Sequence, residues 1–176
     1  MKAARIDRYG GPDSITVVRD ADRPPLDKGQ LLIEVRAASL NPVDTVIRSG
    51  HMKEMVELIF PATLGGDFAG IVAQVGRGVS GFEVDDEVYG QASALLGGSG
   101  SLAELVAAQA GMTARKPQSL DFQTAASLPS RLAPAFSTAN QSATNRLSVQ
   151  SSNRVGKPKC CATASHSRRV LGLGLT

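Results

Sequence analysis

Gln30-Leu31-Leu32-Ile33-Glu34-Val35-Arg36-Ala37-Ala38-Ser39-Leu40 runs directly into Asn41-Pro42-Val43-Asp44-Thr45-Val46-Ile47-Arg48-Ser49-Gly50, and this passage decides the fold. Its first half alternates, with Leu31, Ile33, Val35 and Ala37 on one side and Leu32, Glu34, Arg36 and Ala38 on the other, the period of a strand with one core face and one half-wet face. Pro42 suits the first turn of a helix, and Gly50 closes it, so the strand hands over to a short helix through Arg48. A second alternating run, Asp67 to Val75, comes after Leu64-Gly65-Gly66 and returns as another strand.

Outward from this pair the same punctuation repeats. Met1 to Tyr9 reads as a strand, Gly10-Gly11-Pro12-Asp13 as a turn, and Ser14 to Arg19 as a strand pairing back on the first. Gly76-Arg77-Gly78-Val79-Ser80-Gly81 is a turn cluster and Glu87 to Ala92 a strand. Gly97-Gly98-Ser99-Gly100 is a loop before the strand Leu102 to Ala108. Met112 to Lys116 and a short helix near Phe122 to Ser127 complete the pattern. Short strands separated by Gly-rich turns predict a mainly β, closed or partly open barrel with short helices rather than stacked βαβ units. The absence of Trp and the 4% aromatic content point to a core of Val, Ile, Leu and Ala, a palette that suits strands.

Charge divides the 176 residues in two. Residues 1–128 carry 12 Lys and Arg against 16 Asp and Glu, whereas 129–176 carry seven basic residues and no acidic one. Ser, Thr, Asn and Arg dominate from Ser130 to Arg169. We therefore expect a folded domain over 1–129 and an irregular, basic tail over 130–176, with too little apolar residue content in the tail for a core. Out-of-frame sequence is one explanation of so abrupt a change. With Phe136 as its one aromatic residue, the tail lacks the stacking groups of a single-strand binder, and nucleic acid is not an expected partner. Cys160-Cys161 with His166 falls short of a metal site. No run approaches the ~20 apolar residues of a membrane span, and charges occupy the place of a secretory signal's apolar stretch, so a cytoplasmic protein is expected.

Asn41-Pro42-Val43-Asp44, Leu64-Gly65-Gly66-Asp67-Phe68-Ala69-Gly70, Val79-Ser80-Gly81-Phe82-Glu83-Val84-Asp85-Asp86-Glu87-Val88-Tyr89-Gly90 and Ala125-Ala126-Ser127-Leu128-Pro129 resemble, in that order, the quinone oxidoreductase branch of the medium-chain dehydrogenases. The resemblance implies a chaperonin-10-like (GroES-like) barrel of the alcohol-dehydrogenase N-terminal type. That barrel would form the substrate wall of a cleft whose other wall, a Rossmann domain, holds NADPH. It implies hydride transfer to a quinone or to the β-carbon of a conjugated carbonyl. A cofactor half needs strand, Gly-rich turn, helix and further βαβ units. The 47 residues after Pro129 do not supply them, so no Rossmann domain, no tight NADPH binding and little activity are expected of this chain alone. A non-catalytic interaction module that reuses the barrel and carries a basic tail is the alternative.

By the same resemblance Asn41 and Asp44 are candidate catalytic residues, and Asn41, Pro42 and Leu128 candidate cofactor contacts. Val46, Arg48, His51 and Met52 are candidates for the substrate pocket. The Asn41 carboxamide can donate to a carbonyl or accept from an amide; it can equally cap the helix begun by Pro42. Asp44 can orient its neighbours or simply occupy the favourable first turn. Arg48 and His51 flank the mouth of the cleft by the resemblance, but their residue types favour solvated loop positions. Zinc-dependent relatives carry Cys at the place of Asn41 and His-Glu at Gly66-Asp67. Amide and Gly do not replace thiolate and imidazole, so no metal is expected. A developing oxyanion would then need hydrogen-bond donors, for which Asn41 is the candidate. Asp85 stands where the family shows Gly; if that turn needs positive φ, Asp85 costs ~1 kcal/mol there, which Asp tolerates better than most residues. A barrel without its partner wall would leave apolar surface exposed and invite self-association.

Overall fold

The computed structural model describes residues 1–55, 57–130 and 170–171. Its strands are β1 (Ala3–Ile6), β2 (Ile15–Val18), β3 (Gln30–Ser39), β4 (Ala62–Thr63), β5 (Asp67–Val75), β6 (Glu87–Gln91), β7 (Leu105–Gln109), β8 (Thr113–Arg115) and β9 (Val170–Leu171). The helices are α1 (Pro42–Arg48) and α2 (Phe122–Ala126). One sheet has the order β2-β1-β4 and the other β7-β3-β5-β6-β8, every pairing antiparallel. This is a mainly β architecture, as the strand spacing predicts, and of the GroES-like type that the resemblance implies. Among the described residues no helix is long and apolar enough to cross a membrane.

The larger part of the core is built by strands of the second sheet, and the smaller joins β1 to α1. Leu31, Ile33, Val35, Phe68, Val72, Val88 and Val106 form its larger cluster, and Ile6, Ile47, Leu58 and Leu64 a second. Leu102 packs against both clusters and joins them. Aliphatic side chains fill most of this interior, as the composition predicts.

Strict alternation along β3 fails beyond Val35. In the β3–β5 register Val35 faces Gly70 and Ala37 faces Ala69, so Arg36 is an extra residue on β3 and makes a bulge. The bulge reverses the facing of the last residues of the strand. Ala38, expected with Leu32 on the wet side, joins Leu31, Ile33 and Val35 in the core, while Ala37 turns outward to meet Ala69, Ala125 and Ala126 beneath α2. Small side chains on both surfaces let α2 lie close against the sheet. Gly70 belongs to the same device: a Cβ there would stand 2.1 Å from the Glu34 carbonyl oxygen.

Element ends are shorter than expected at β1, β7 and β8. Strand β4 and the 3₁₀ turns Ala94–Leu96 and Ala110–Met112 have no periodic signal. Within the stretch expected to be irregular, the backbone of Val170 and Leu171 pairs antiparallel with Ser39 and Ala38. Cys160, Cys161 and His166 lie outside the described residues, as does most of the predicted tail.

Candidate active site

The site forms where β3, β5 and β6 end together. The register sets Ser39 opposite Asp67 and Asp67 opposite Gln91, so three polar side chains share one row across three strands. Two residues beyond Ser39 the chain turns into α1. Asn41 is its N-cap, extended at φ −120°, and Pro42 fills the first helical position. The Asp44 carboxylate accepts from the Asn41 backbone N–H at 2.7 Å, and Ser49 N–H bonds the Thr45 carbonyl before Gly50 ends the turn at φ +81°.

Asp67 is fully buried and is the hub of the row. Its Oδ2 accepts from Asn41 Nδ2 at 3.0 Å, Ser39 Oγ at 3.3 Å and the Ser130 backbone N–H at 3.2 Å. Its Oδ1 accepts from Ser130 Oγ at 2.8 Å and Gln91 Nε2 at 3.2 Å. The Ser130 oxygen in turn accepts from Asn41 Nδ2 at 3.2 Å and Gln91 Nε2 at 3.1 Å. Charge-assisted bonds of this kind offset the cost of burying a carboxylate.

Asp44, only 4% exposed, lies behind this row. Burial pushes its carboxyl up to about 6; the Asn41 N–H opposes that shift, and the nearby Asp67 charge adds to it. A buried carboxyl poised near neutrality is suited to proton exchange as well as to capping.

The other predicted residues separate. Pro42 and Val46 are exposed, and with Leu40 and Val43 they give α1 an apolar outer face. Leu128 is half-buried and lies just beyond α2, its N–H bonded to the Ala125 carbonyl. Arg48 Nε donates to the Gly10 carbonyl at 3.3 Å, which ties it to the turn after β1. Exposed His51 places Nδ1 beside Ser49 Oγ. Met52 packs on the cluster of Ile6, Ile47, Leu58 and Leu64.

Sequence reasoning passed over Ser39, Gln91 and Ser130 and treated Asp67 only as a replaced metal-ligand position. One clue was available, a carboxylate at the head of the apolar run Phe68-Ala69-Gly70-Ile71-Val72. Gln91 and Ser130 had none, since the sheet register and the path after α2 bring them in. Among the described residues no group of three or more His, Cys, Asp or Glu converges on a possible metal position. A Cβ on Gly66 would lie 3.7 Å from Ser93 Cβ and 4.0 Å from Asp44 Oδ1.

The model of the alcohol dehydrogenase GroES-like domain matches residues 27–118. The chain is 34% identical over 177 residues to the quinone oxidoreductase of Rattus norvegicus, covering 98% of this chain and 52% of the relative. It is 41% identical over 133 residues to the chloroplastic NADPH-dependent alkenal/one oxidoreductase of Arabidopsis thaliana, covering 73% of this chain and 34% of the relative. The quinone oxidoreductase structure from Coxiella burnetii superposes with a TM-score of 0.66 at 35% identity, covering 81% of this chain and 45% of that one. The chain thus spans about half or less of the length of each.

Proposed function

Because the chain belongs to the alcohol dehydrogenase GroES-like family, in the quinone oxidoreductase branch of the medium-chain dehydrogenases, we propose that it is the substrate-side wall of an NADPH-dependent, zinc-independent quinone or enone oxidoreductase. The observation that carries the reading is the row of Asn41, Asp67, Gln91 and Ser130, a built polar site at the converging ends of three strands. Hydrogen-bonded clusters of this sort, anchored on a buried carboxylate, fix side chains to the sub-ångström tolerance that hydride transfer demands.

NADPH, when bound, supplies the hydride. Asn41, Pro42 and Leu128 are the proposed contacts at the nicotinamide end. The apolar face of Val43 and Val46 borders the substrate, with Met52, Arg48 and His51 further out. Asp44 is the proposed proton-exchanging group behind Asn41. Zinc independence is supported by the donor set, since Asn41, Gly66 and Asp67 offer neither thiolate nor imidazole. The substrate class, a quinone or a conjugated carbonyl, is carried over from the names of the rat and Arabidopsis relatives.

The described residues contain no strand, Gly-rich turn and helix in the order that cradles a pyrophosphate. We therefore expect weak NADPH binding and negligible turnover from this chain alone. The decisive experiment grafts residues 1–130 in place of the matching segment of the rat enzyme and monitors NADPH oxidation with a quinone and with an enone. Turnover that falls at least tenfold on Asn41→Ala, a loss of about 1.4 kcal/mol of transition-state stabilisation, is expected. A folded chimera that binds NADPH yet reduces neither acceptor would overturn the proposal.

A further inference from the structure

The Asp67 cluster leaves no donor to spare. A carboxylate accepts only, and a Ser hydroxyl has one hydrogen to give and two lone pairs to receive with. The Ser130 hydrogen goes to Asp67 Oδ1 at 2.8 Å, so its lone pairs receive one hydrogen from Asn41 Nδ2 and one from Gln91 Nε2. The remaining Nδ2 and Nε2 hydrogens go to Asp67 itself. Each carboxamide thus has both hydrogens committed inside the cluster. Turning either amide over would set its oxygen against the buried Asp67 carboxylate, two acceptors facing each other.

We infer that Asp67 is a positioning residue that sets the polarity of the site: it locks the Asn41 and Gln91 carboxamides with their hydrogens inward, so each has only its oxygen left to meet a ligand, and on Asn41 one lone pair of that oxygen already faces the Asp44 backbone N–H of the capping box. The group that meets Asn41 must then bring a hydrogen of its own, an amide N–H or a hydroxyl. A carbonyl or developing oxyanion finds no donor on Asn41, which reverses the role expected from its residue type alone. The ligand side of this inference rests on the oxidoreductase reading above; the polarity of the amides does not.

Side-chain amide resonances of the 15N-labelled chain test it without any ligand. Both hydrogens of Asn41 and of Gln91 are expected to exchange with solvent roughly tenfold or more slowly than those of exposed Gln123, each being held by a hydrogen bond. Asp67→Asn, which adds donors and removes an acceptor, should speed exchange of the Asn41 hydrogen held by Asp67 toward the Gln123 rate while the backbone resonances of β3 and β5 keep their dispersion. Ser130→Ala should release one hydrogen of each amide and leave its mate protected, a half-release that a purely structural role for the cluster does not produce. That variant decides the matter alone if Asp67→Asn fails to fold. Asn41 hydrogens that exchange as fast as those of Gln123 in the unmodified chain, or stay protected in both variants, would overturn the inference. Failure of the chimera to reduce quinone or enone would sink the functional reading and leave these rates unchanged, so the two failures are distinguishable.

Discussion

At Asp85 the backbone takes φ +74°, the one positive-φ position among the described residues not filled by Gly. The turn needs that conformation, because Asp85 N–H donates to the Val72 carbonyl and Val72 N–H donates to the Asp86 carbonyl, both at 2.9 Å. An L side chain costs about 1–2 kcal/mol there, and Gly gives back part of that gain in unfolded-state entropy. Asp85→Gly is therefore expected to stabilise the domain by about 0.5–1 kcal/mol, read as a higher urea midpoint at constant slope. Asp44 yields a pH signature. Its folded-state carboxyl titrates at about 6 against an ordinary 3.8, so its contribution to stability is fully present below about pH 4 and is lost as pH rises through 6. Acidification from pH 7 to 4 should thus add up to roughly 2–3 kcal/mol from this group. Asp44→Asn keeps an acceptor for the Asn41 N–H, so it should be more stable than the parent at pH 7 and should flatten that slope. A variant with the parent's pH dependence would remove Asp44 as its source.

At the scale of elements, β3 and β5 owe their shape to two register shifts, at Ala73 on β5 and at Arg36 on β3, and to one glycine. Gly70→Ala forces a Cβ against the Glu34 carbonyl, a backbone atom that cannot step aside as a flexible side chain would. A loss of about 1–3 kcal/mol is expected, by analogy with overpacked cores, measured as a fall in the urea midpoint. Position, type and end of β3 were legible in the run Gln30–Ser39, and α1 in Pro42 and Gly50. The facing of Ala37 and Ala38 was not. A bulge is set by the partner strand and by the helix packed outside it, and neither leaves a mark on the local period. Strand β4 was illegible for a related reason, since Ala62 and Thr63 gain strand geometry by pairing with Ile6 and Arg5.

Over the whole molecule, the apolar outer face beside the site is the feature with a consequence for behaviour in solution. Leu40, Val43 and Val46 are 46%, 37% and 38% exposed on one turn of structure. In the proposed oxidoreductase this face borders the cleft. We propose that in this chain it supports self-association: sedimentation velocity should show concentration-dependent species above the monomer, reduced by Val43→Glu with Val46→Glu. A monodisperse monomer at high concentration would count against the surface being adhesive.

The family, the β class and the position of Asn41 are determined by sequence alone, because they rest on local periodicity, on turn residues with special backbone needs and on motifs read in order. What Asn41 can do chemically was decided by the tertiary structure. A carboxamide is donor and acceptor alike until its neighbours are known. Those neighbours, Asp67, Gln91 and Ser130, arrive from three distant points of the chain through strand register and the path beyond α2, and a buried carboxylate then dictates which way the amide faces.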